Sequence, residues 1–311
     1  MFSVIIPNWN GLRFLPTYLN ALRTQTYRDF ETIVVDNGST DGSRERIAQE
    51  FPEVRIVALK TNRGFAPAIN EGIRAAHGAI VVPLNNDTEA DSHWLEEIAR
   101  ALELHPNAGM VACKLKLFDQ RDCIHSAGDF YRVDGIPGNR GVWEQDRGQY
   151  DDDNAHSVFG GCGGAVAYRK SMLDEIGAFD EALGSYCEDV DLNWRARLAG
   201  YEIVYAPRAI VYHMVSATGG GPLASFFVGR NFIWVIAKNY PSGLWKKYWR
   251  AIVAAQLKIA WDALKHWRGA AARARLRGQL AGLIGLPHWL NRRKETIRRA
   301  SESEIEAVLV K

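Results

Sequence analysis

Apolar runs of strand length alternate with helical patterns over the first 118 residues, and this alternation constrains the fold more than any other feature. The strand-like runs are FSVIIP, ETIVVD, VRIVAL, AIVVPLNND and MVACKLKLF. Helical spacing or capping signals follow the first four runs, over residues 10–26, 41–51, 67–77 and 91–102. The alternation predicts an α/β fold with a parallel, doubly wound sheet flanked by helices. Ligands bind such sheets outside the carboxyl ends of the strands.

The chain changes character near residue 220. Residues 222–311 are predicted to be helical, with breaks at Pro241 and Pro287. Residues 241–300 hold fourteen basic and two acidic residues, whereas the whole chain carries a net charge of only +2. Five tryptophans lie among these bases, at positions 245, 249, 261, 267 and 289. We predict a first domain over 1–220 and a basic, Trp-rich helical extension over 221–311.

The extension is predicted to dock on an anionic membrane surface, because basic amphipathic helices with tryptophan lie in the interfacial layer. Its apolar runs are too short to span a bilayer. The alternative is a helical cap that packs on the first domain or on a subunit partner, and a homo-oligomer is one option. No nucleic-acid-binding module accompanies the charge, so nucleic acid is not expected as a partner.

The N-terminal sequence and the cysteines predict a cytoplasmic protein. The N-terminal sequence lacks the basic segment and the apolar length of a signal peptide, and it is predicted to be the first strand. The four cysteines show no paired spacing, which favours reduced cytosolic thiols. We therefore expect a cytoplasmic protein that associates peripherally with the inner face of the cell membrane.

Asp36 and Asp87 each follow an apolar run, at the edge where ligands are expected. Asp36 could accept hydrogen bonds from a nucleobase or ribose, although an Asn-Gly turn with a helix cap explains the same pattern. Asp87 could hold a hard divalent cation together with a nucleoside diphosphate, or it could belong to an ordinary strand-end turn. Small residues beside amides in NRGFAPAINEG would let a ligand approach the backbone.

Three carboxyl side chains, those of Glu188, Asp189 and Asp191, crowd the start of a predicted helix. N-capping of that helix by Asp189 or Asp191 is the simpler explanation. A lone His213 follows two β-rich runs. The glycines of GGCGG, residues 160–164, would allow close approach of sugars or would form a tight turn. Residues 119–153 lack a helical period and are predicted to form a long loop or a small hairpin.

The order of these motifs resembles family-2 glycosyltransferases with the GT-A fold. The matching stretches are VIIPNWNG, VVDNGSTDGS, NRGFAPAINEG, PLNNDTEAD, GGCGGAVAYRKSMLDEIGAFDEAL and CEDVDLNWRARLAGYEIVYAP, over roughly residues 1–215. Within the family the chain is most similar to rhamnosyltransferase-like members that build bacterial cell-surface polysaccharides. FFVGRNFIWVIAKNYP also resembles an Arg-Asn stretch seen after the catalytic domain in that subgroup.

This resemblance implies an inverting, metal-dependent glycosyltransferase of the hexosyltransferase type. It would move a sugar, with rhamnose as one candidate, from a nucleotide-diphosphate sugar to a hydroxyl of a lipid-linked or cell-surface glycan. Asp189 would be the general base beside Glu188, and Asp87 and His213 would hold Mg²⁺ or Mn²⁺. The family's Asp-x-Asp signature reads Asn-Asn-Asp here, so its first acid is missing.

The resemblance also implies two further groups of ligand-binding residues. The nucleotide-sugar site would comprise Pro7, Asn8, Asn10, Asp36, Asn62, Arg63, Gly64, Asn70, Asn86 and Asp87. The pocket for acceptor and donor sugars would comprise Gly161, Gly163, Gly164 and Trp194.

Two other functions compete with this interpretation. A nucleotidyltransferase could use a similar sheet, but no Gly-rich, Lys-containing phosphate loop lies near the first strand. A catalytically silent glycan- or lipid-binding scaffold would make Asp87 and Asp189 dispensable, and both are present. A dinucleotide-dependent dehydrogenase is disfavoured because no GxGxxG follows the first strand.

Overall fold

The structure is a computed structural model that describes residues 1–151, 158–215 and 220–311. Its strands are β1 (Phe2–Asn8), β2 (Phe30–Asp36), β3 (Arg55–Ala58), β4 (Ile80–Pro83), β5 (Thr88–Ala90), β6 (Ala108–Leu117), β7 (Ile124–Ala127), β8 (Asp129–Tyr131), β9 (Pro137–Asn139), β10 (Val166–Arg169) and β11 (Glu202–His213). Its helices are α1 (Leu15–Arg23), α2 (Ser43–Glu50), α3 (Phe65–Ala75), α4 (Trp94–Leu104), α5 (Lys170–Ile176), α6 (Glu188–Leu198), α7 (Gly221–Asn239), α8 (Ser242–Lys265), α9 (Ala270–Asn291) and α10 (Glu302–Ala307). Short 3₁₀ turns lie at Leu12–Phe14, Glu181–Leu183 and Arg292–Glu295.

The first four strands form the predicted parallel sheet, in the order β3–β2–β1–β4. As a whole the sheet is mostly but not wholly parallel, because β10 lies between β4 and β6 and runs antiparallel to both. The sheet continues with β11 parallel to β6, and β5 closes that end antiparallel to β11. An antiparallel strand starts where its neighbours end, so the start of β10 lies at the same edge as the carboxyl ends of β1, β2, β4, β6 and β11.

Residues 119–153 form the predicted small hairpin as far as they are described. Strand β7 pairs antiparallel with β6, and β8 pairs antiparallel with β9. Residues 152 and 153 of this segment lie outside the described residues. The hairpin therefore leaves the sheet beside the edge where ligands are expected.

The central strands are apolar on both faces because helices cover both. Val4 and Ile6 of β1 lie in one buried cluster with residues of α1 and α4, whereas Ile5 lies in a second cluster with residues of α3. This burial on both faces is typical of parallel strands and explains why the strands appear in the sequence as continuous apolar runs.

The C-terminal helices share a hydrophobic core with the first part of the chain. Tyr131 and Trp194 pack in one buried cluster with Val235 and Tyr240 of the α7 region. Near the chain end, the Val310 amide donates to the Tyr131 carbonyl across 2.9 Å. The domain boundary at residue 220 stays a prediction. These contacts are those expected if the C-terminal helices pack on the first domain as a cap, which is the alternative to membrane docking. Within the described ranges, no helix has the length and apolar character needed to cross a membrane.

Candidate active site

Asp36, at the end of β2, presents a buried carboxylate at the expected edge of the sheet. Its Oδ1 lies 3.4 Å from the Ser39 amide, and its buried Oδ2 has no hydrogen-bond donor among the described residues. Nearby, the Asn37 amide donates to the Asn62 side chain and the Gly64 carbonyl, each across 3.0 Å. Buried polar atoms are nearly always hydrogen-bonded, so Oδ2 is suited to a donor from a bound ligand.

Two neighbouring strand ends are joined by side-chain amides. The Asn86 amide donates to Asn8 Oδ1 across 3.0 Å, and both side chains are buried. Asn10 has a left-handed backbone, with φ of 51°, and its Oδ1 accepts from the Thr40 amide across 2.8 Å. The following predicted residues share this edge: Pro7, Asn8, Asn10, Asp36, Asn62, Gly64, Asn86 and Asp87. Arg63 is exposed beside them, with its guanidinium paired to Glu71.

The pairing of β11 with β5 places the side chain of His213 beside that of Asp87. His213 lies opposite Thr88 in the β11–β5 ladder, and its Nε2 is 3.2 Å from Asp87 Oδ1. Among the described residues, no cluster of three or more His, Cys, Asp or Glu side chains could hold a metal ion alone. One carboxylate and one imidazole still fit a divalent cation, because such ions often take one or two protein ligands and complete their shell with substrate phosphates.

His125 of β7 orients the His213 ring. Their Nδ1 atoms are 3.2 Å apart. Burial, together with the neighbouring His213, lowers the pKa of His125 to about 4, so His125 is neutral at physiological pH. A neutral His125 can share a proton with His213 through the two Nδ1 atoms, and this contact fixes the direction in which Nε2 of His213 faces Asp87.

The glycine segment lies between the acidic cluster and the Asp87–His213 pair. The Gly163 amide donates to Asp189 Oδ2 across 2.8 Å, and a Cβ on Gly163 would lie 3.0 Å from that oxygen. A Cβ on Gly164 would lie 3.8 Å from His213 Cε1. Gly161 is fixed behind them, because its amide and carbonyl both bond to the Asn193 side chain. Glycine at position 163 therefore lets the backbone approach the Asp189 carboxylate directly.

The three crowded carboxyl groups have three different environments. Asp191 is fully buried, and Arg195 and Lys238 outweigh that burial and lower its pKa to about 2. Burial and the adjacent Asp189 raise the pKa of Glu188 to about 8, and its Oε2 has no hydrogen-bond partner among the described residues. Asp189 accepts the amides of Gly163 and Val190, each across 2.8 Å.

These partners decide which carboxyl group of the coupled pair holds the negative charge. Burial also raises the pKa of Asp189, but its two backbone donors favour the ionised form. Glu188 has fewer such donors, so it is the more readily protonated carboxyl group of the pair. The cluster thus places one reactive carboxylate, that of Asp189, on the glycine segment.

Three sequence-based expectations are not supported. Trp194 is completely buried against Tyr131, Phe159 and Tyr240, so it cannot line an open sugar pocket. The Asn70 side chain was expected in the nucleotide-sugar site, but it is hydrogen-bonded within the protein. Its Nδ2 donates to the Phe179 carbonyl, and its Oδ1 accepts from the Phe179 backbone amide.

The third is the predicted capping of α6 by Asp189 or Asp191. Cys187 precedes the helix with φ of 67°, and no side chain caps it. The Asp191 carboxylate is instead held by the Lys238 and Asn239 side chains. Asp191 therefore has a structural role, because these two partners come from α7 and tie that helix to α6.

Sequence reasoning missed several residues around the site. His125 and Asp129 give no local signal, because each reaches the site through the β7–β9 region. Asp129 is buried, and burial with the charge of Asp189 raises its pKa well above the usual range. Lys238 and Asn239 lie within the Arg-Asn stretch noted in the sequence, and that stretch was the available signal.

The profile described as Glycosyl transferase family 2 matches residues 3–177. The N-acetylglucosaminyl-diphospho-decaprenol L-rhamnosyltransferase of Mycobacterium tuberculosis is 26% identical over 258 residues, which cover 75% of this chain and 82% of that protein. The O-antigen biosynthesis protein RfbC of Myxococcus xanthus is 30% identical over 228 residues, 70% of this chain but 17% of RfbC.

Solved structures confirm the GT-A fold. S. aureus TarS 1–349 in complex with UDP has a TM-score of 0.59 at 20% identity, covering 95% of this chain and 88% of that one. The mannosyltransferase PcManGT from Pyrobaculum calidifontis, in complex with GDP-Man and Mn²⁺, has a TM-score of 0.58 at 19% identity, covering 94% and 84%. The family profile spans more than half of the chain, so the resemblance seen in the motifs is confirmed. The chain belongs to glycosyl transferase family 2 and is a glycosyltransferase.

Proposed function

We propose that this protein is an inverting glycosyltransferase that uses Asp189 as its general base. It transfers a sugar from a nucleotide-diphosphate sugar to a hydroxyl of a lipid-linked or cell-surface glycan. The M. tuberculosis relative, named an L-rhamnosyltransferase for a diphospho-decaprenol substrate, supports rhamnose and a lipid-linked acceptor as candidates.

The observation that carries the proposal is the environment of Asp189. Its carboxylate is held by two backbone amides beside a glycine segment that also approaches His213. An acceptor hydroxyl beside Gly163 would lie within reach of Asp189, and no side chain from Gly163 would stand between them. An ionised, pre-oriented carboxylate is what proton removal from an attacking hydroxyl requires.

The reaction then follows from these positions. The acceptor oxygen forms a bond to the anomeric carbon, Asp189 takes the hydroxyl proton, and the bond from that carbon to the diphosphate oxygen breaks. Attack from the side opposite the leaving group inverts the anomeric centre. Asp36 would hold the nucleoside, so the diphosphate would extend toward Asp87 and His213. A bound divalent cation supplies neutralisation of the charge that develops on the leaving diphosphate.

A donor screen tests this function. Purified protein is incubated with UDP-, GDP- and dTDP-sugars and a polyprenyl-diphosphate-linked acceptor, with Mg²⁺ or Mn²⁺, and nucleoside diphosphate release is measured. Asp189→Asn should lower transfer by at least about 100-fold, because removal of a general base costs about 10²–10⁴. Asp174→Asn, which changes an exposed carboxylate on α5 in the same way, should keep full transfer. Equal activity of the two variants would refute Asp189 as the base, and absence of both turnover and nucleotide binding would favour a silent scaffold.

We also propose that α8 and α9 dock this protein on an anionic membrane surface. Trp245, Trp249, Val253, Leu257 and Trp261 of α8 are exposed at intervals of four residues and so form one ridge. Leu280, Leu283 and Ile284 are exposed on α9. Lys246 and Arg250 border the α8 ridge and are exposed. Tryptophan beside basic side chains matches the interfacial layer of anionic lipid, and a polar protein partner offers no such match.

Vesicle binding tests this surface. Vesicles of phosphatidylglycerol and phosphatidylcholine should bind the protein, and 0.5 M salt should weaken binding by screening the bases. The double change Trp249→Ala and Trp261→Ala should weaken binding by at least about tenfold, because two buried indoles are lost. Trp143→Ala removes an equally exposed indole outside the extension and should bind normally. Equal binding by both variants would contradict the assignment.

A further inference from the structure

The loop that leads into the acidic pair has an unfavourable backbone. Tyr186 and Cys187 both have left-handed conformations, with φ of 65° and 67°, although neither is glycine. Such a conformation is unfavourable for a residue with a side chain, and it persists only where surrounding contacts enforce it. Glu188 and Asp189 follow immediately, so whatever holds this loop also sets the position of the base.

A single side chain of α7 supplies much of that hold. The Asn231 amide, fully buried, donates to the carbonyls of Leu183, Ser185 and Tyr186 across 3.1, 3.1 and 2.6 Å. Its neighbour Arg230 also donates to the Leu183 carbonyl, across 2.6 Å. Three of these four bonds converge on one amide nitrogen, that of the Asn231 side chain.

The same helix holds the chain just after the acidic pair. Lys238 Nζ lies 2.9 Å from Asp191 Oδ1, and the Asn239 amide donates to the same oxygen across 2.7 Å. Lys238 also pairs with Asp180 across 2.6 Å. All of these side chains are buried, where an unpaired charge is strongly unfavourable, so the pairs are expected to stay closed. Glu188 and Asp189 are thus fixed from both sides by α7.

We propose that Asn231 is a positioning residue for the loop of residues 183–187, which leads into Asp189 and is called the base loop here. We also infer that the C-terminal helical extension is a working part of the active site. This inference rests on the proposed role of Asp189. Asn231 does not touch the reacting atoms; it enforces the left-handed turn that delivers Asp189 to the Gly163 amide. Within the described residues, the Asn231 side chain makes no hydrogen bond to the donor side of the site, at the ends of β1, β2 and β4, so that side is expected to form without it.

Steady-state kinetics with a matched control tests the proposal. Asn231→Ala removes the side-chain NH₂ group that makes three hydrogen bonds to the loop. Gln279→Ala removes another buried side-chain amide, which donates to the Gln256 carbonyl on α8. Both variants are assayed well below their unfolding midpoints. Asn231→Ala should lower kcat by about 10- to 100-fold, because a displacement of about 1 Å at a catalytic group has that effect. Donor KM and nucleoside diphosphate affinity should change by less than about threefold.

The outcomes separate this inference from the proposed function. Gln279→Ala should keep wild-type kcat at a similar loss of thermal stability, and Asn231→Ser, which retains one donor, should fall between Asn231→Ala and wild type. A kcat loss no larger in Asn231→Ala than in Gln279→Ala overturns the positioning role. If Asn231→Ala does not fold, the comparison is made with Asn231→Ser, and wild-type kcat there overturns it equally. An inactive wild-type protein would instead count against the proposed function.

Discussion

Glu188 should destabilise the folded protein at neutral and alkaline pH. Its folded-state pKa of about 8 exceeds the ordinary glutamate value of 4.5 because burial and Asp189 disfavour the charged form. Between these two values the folded protein retains a proton that the unfolded chain has lost. The free energy of unfolding therefore falls as pH rises through this window, by about 1.4 kcal/mol per pH unit. The loss is about 3 kcal/mol at pH 7 and reaches about 5 kcal/mol above pH 8.

Glu188→Gln removes this titration while keeping the size of the side chain. The buried amide adds a cost of about 1–3 kcal/mol, but that cost does not depend on pH. The variant should therefore gain about 4 kcal/mol of stability relative to wild type between pH 5 and pH 8.5, whatever the offset at pH 5. Glu103→Gln, at an exposed position on α4, should track wild type throughout.

Urea unfolding followed by tryptophan fluorescence at pH 5, 6, 7, 8 and 8.5 measures these differences. The reasoning requires the stability difference between Glu188→Gln and wild type to grow steadily with pH. A difference that stays constant from pH 5 to pH 8.5 would show that Glu188 is ionised in the folded protein, and the single-carboxylate description of the cluster would then be wrong.

Two further variants probe neighbouring contacts. Asp191→Asn should destabilise the protein by about 3–5 kcal/mol at pH 7, because Lys238 loses a buried partner. The pKa of Asp191 is lowered to about 2, so the ion pair stabilises the fold above about pH 4, and this stabilisation is lost as the pH falls through 2. The loss of stability that Asp191→Asn causes in urea unfolding should therefore shrink in acid. A loss that does not depend on pH would contradict the ion pair. Gly163→Ala should lower kcat by about tenfold or more, because its Cβ would press on the Asp189 carboxylate. Its unfolding midpoint should change little, and unchanged kcat would mean that the segment does not approach Asp189 so closely.

The first four strands were predictable because their order follows from local pattern and short crossovers. Apolar runs such as IVVD mark strands buried on both faces, and a helix between successive strands enforces parallel pairing. Strand β10 was not predictable, because VAYR carries no information about its partners. Its place between β4 and β6 depends on pairings more than fifty residues away in the chain.

The site was predictable where the chain itself brings residues to strand ends. Asp36 and His213 end strands, and Asp87 lies in the turn between β4 and β5, so the sheet edge collects them without further information. Trp194 was misassigned because α6 is buried on most sides, and helical spacing then cannot separate a core face from a cleft face. The role of Asp191 was hidden because its partner Lys238 lies forty-seven residues later.

The hydrogen bonds from Asn231 of α7 to the base loop have a consequence for folding during protein synthesis. A chain made from its N-terminus completes β1 to β11 before α7 leaves the ribosome, so the sheet and the nucleotide side can assemble first. The loop at Tyr186 and Cys187 lacks its three amide bonds until Asn231 has been made. The Tyr131 carbonyl gains its hydrogen bond from the Val310 amide later still, when the last residues have been made. If the proposed function holds, a nascent chain acquires the ability to bind a donor well before it can transfer the sugar.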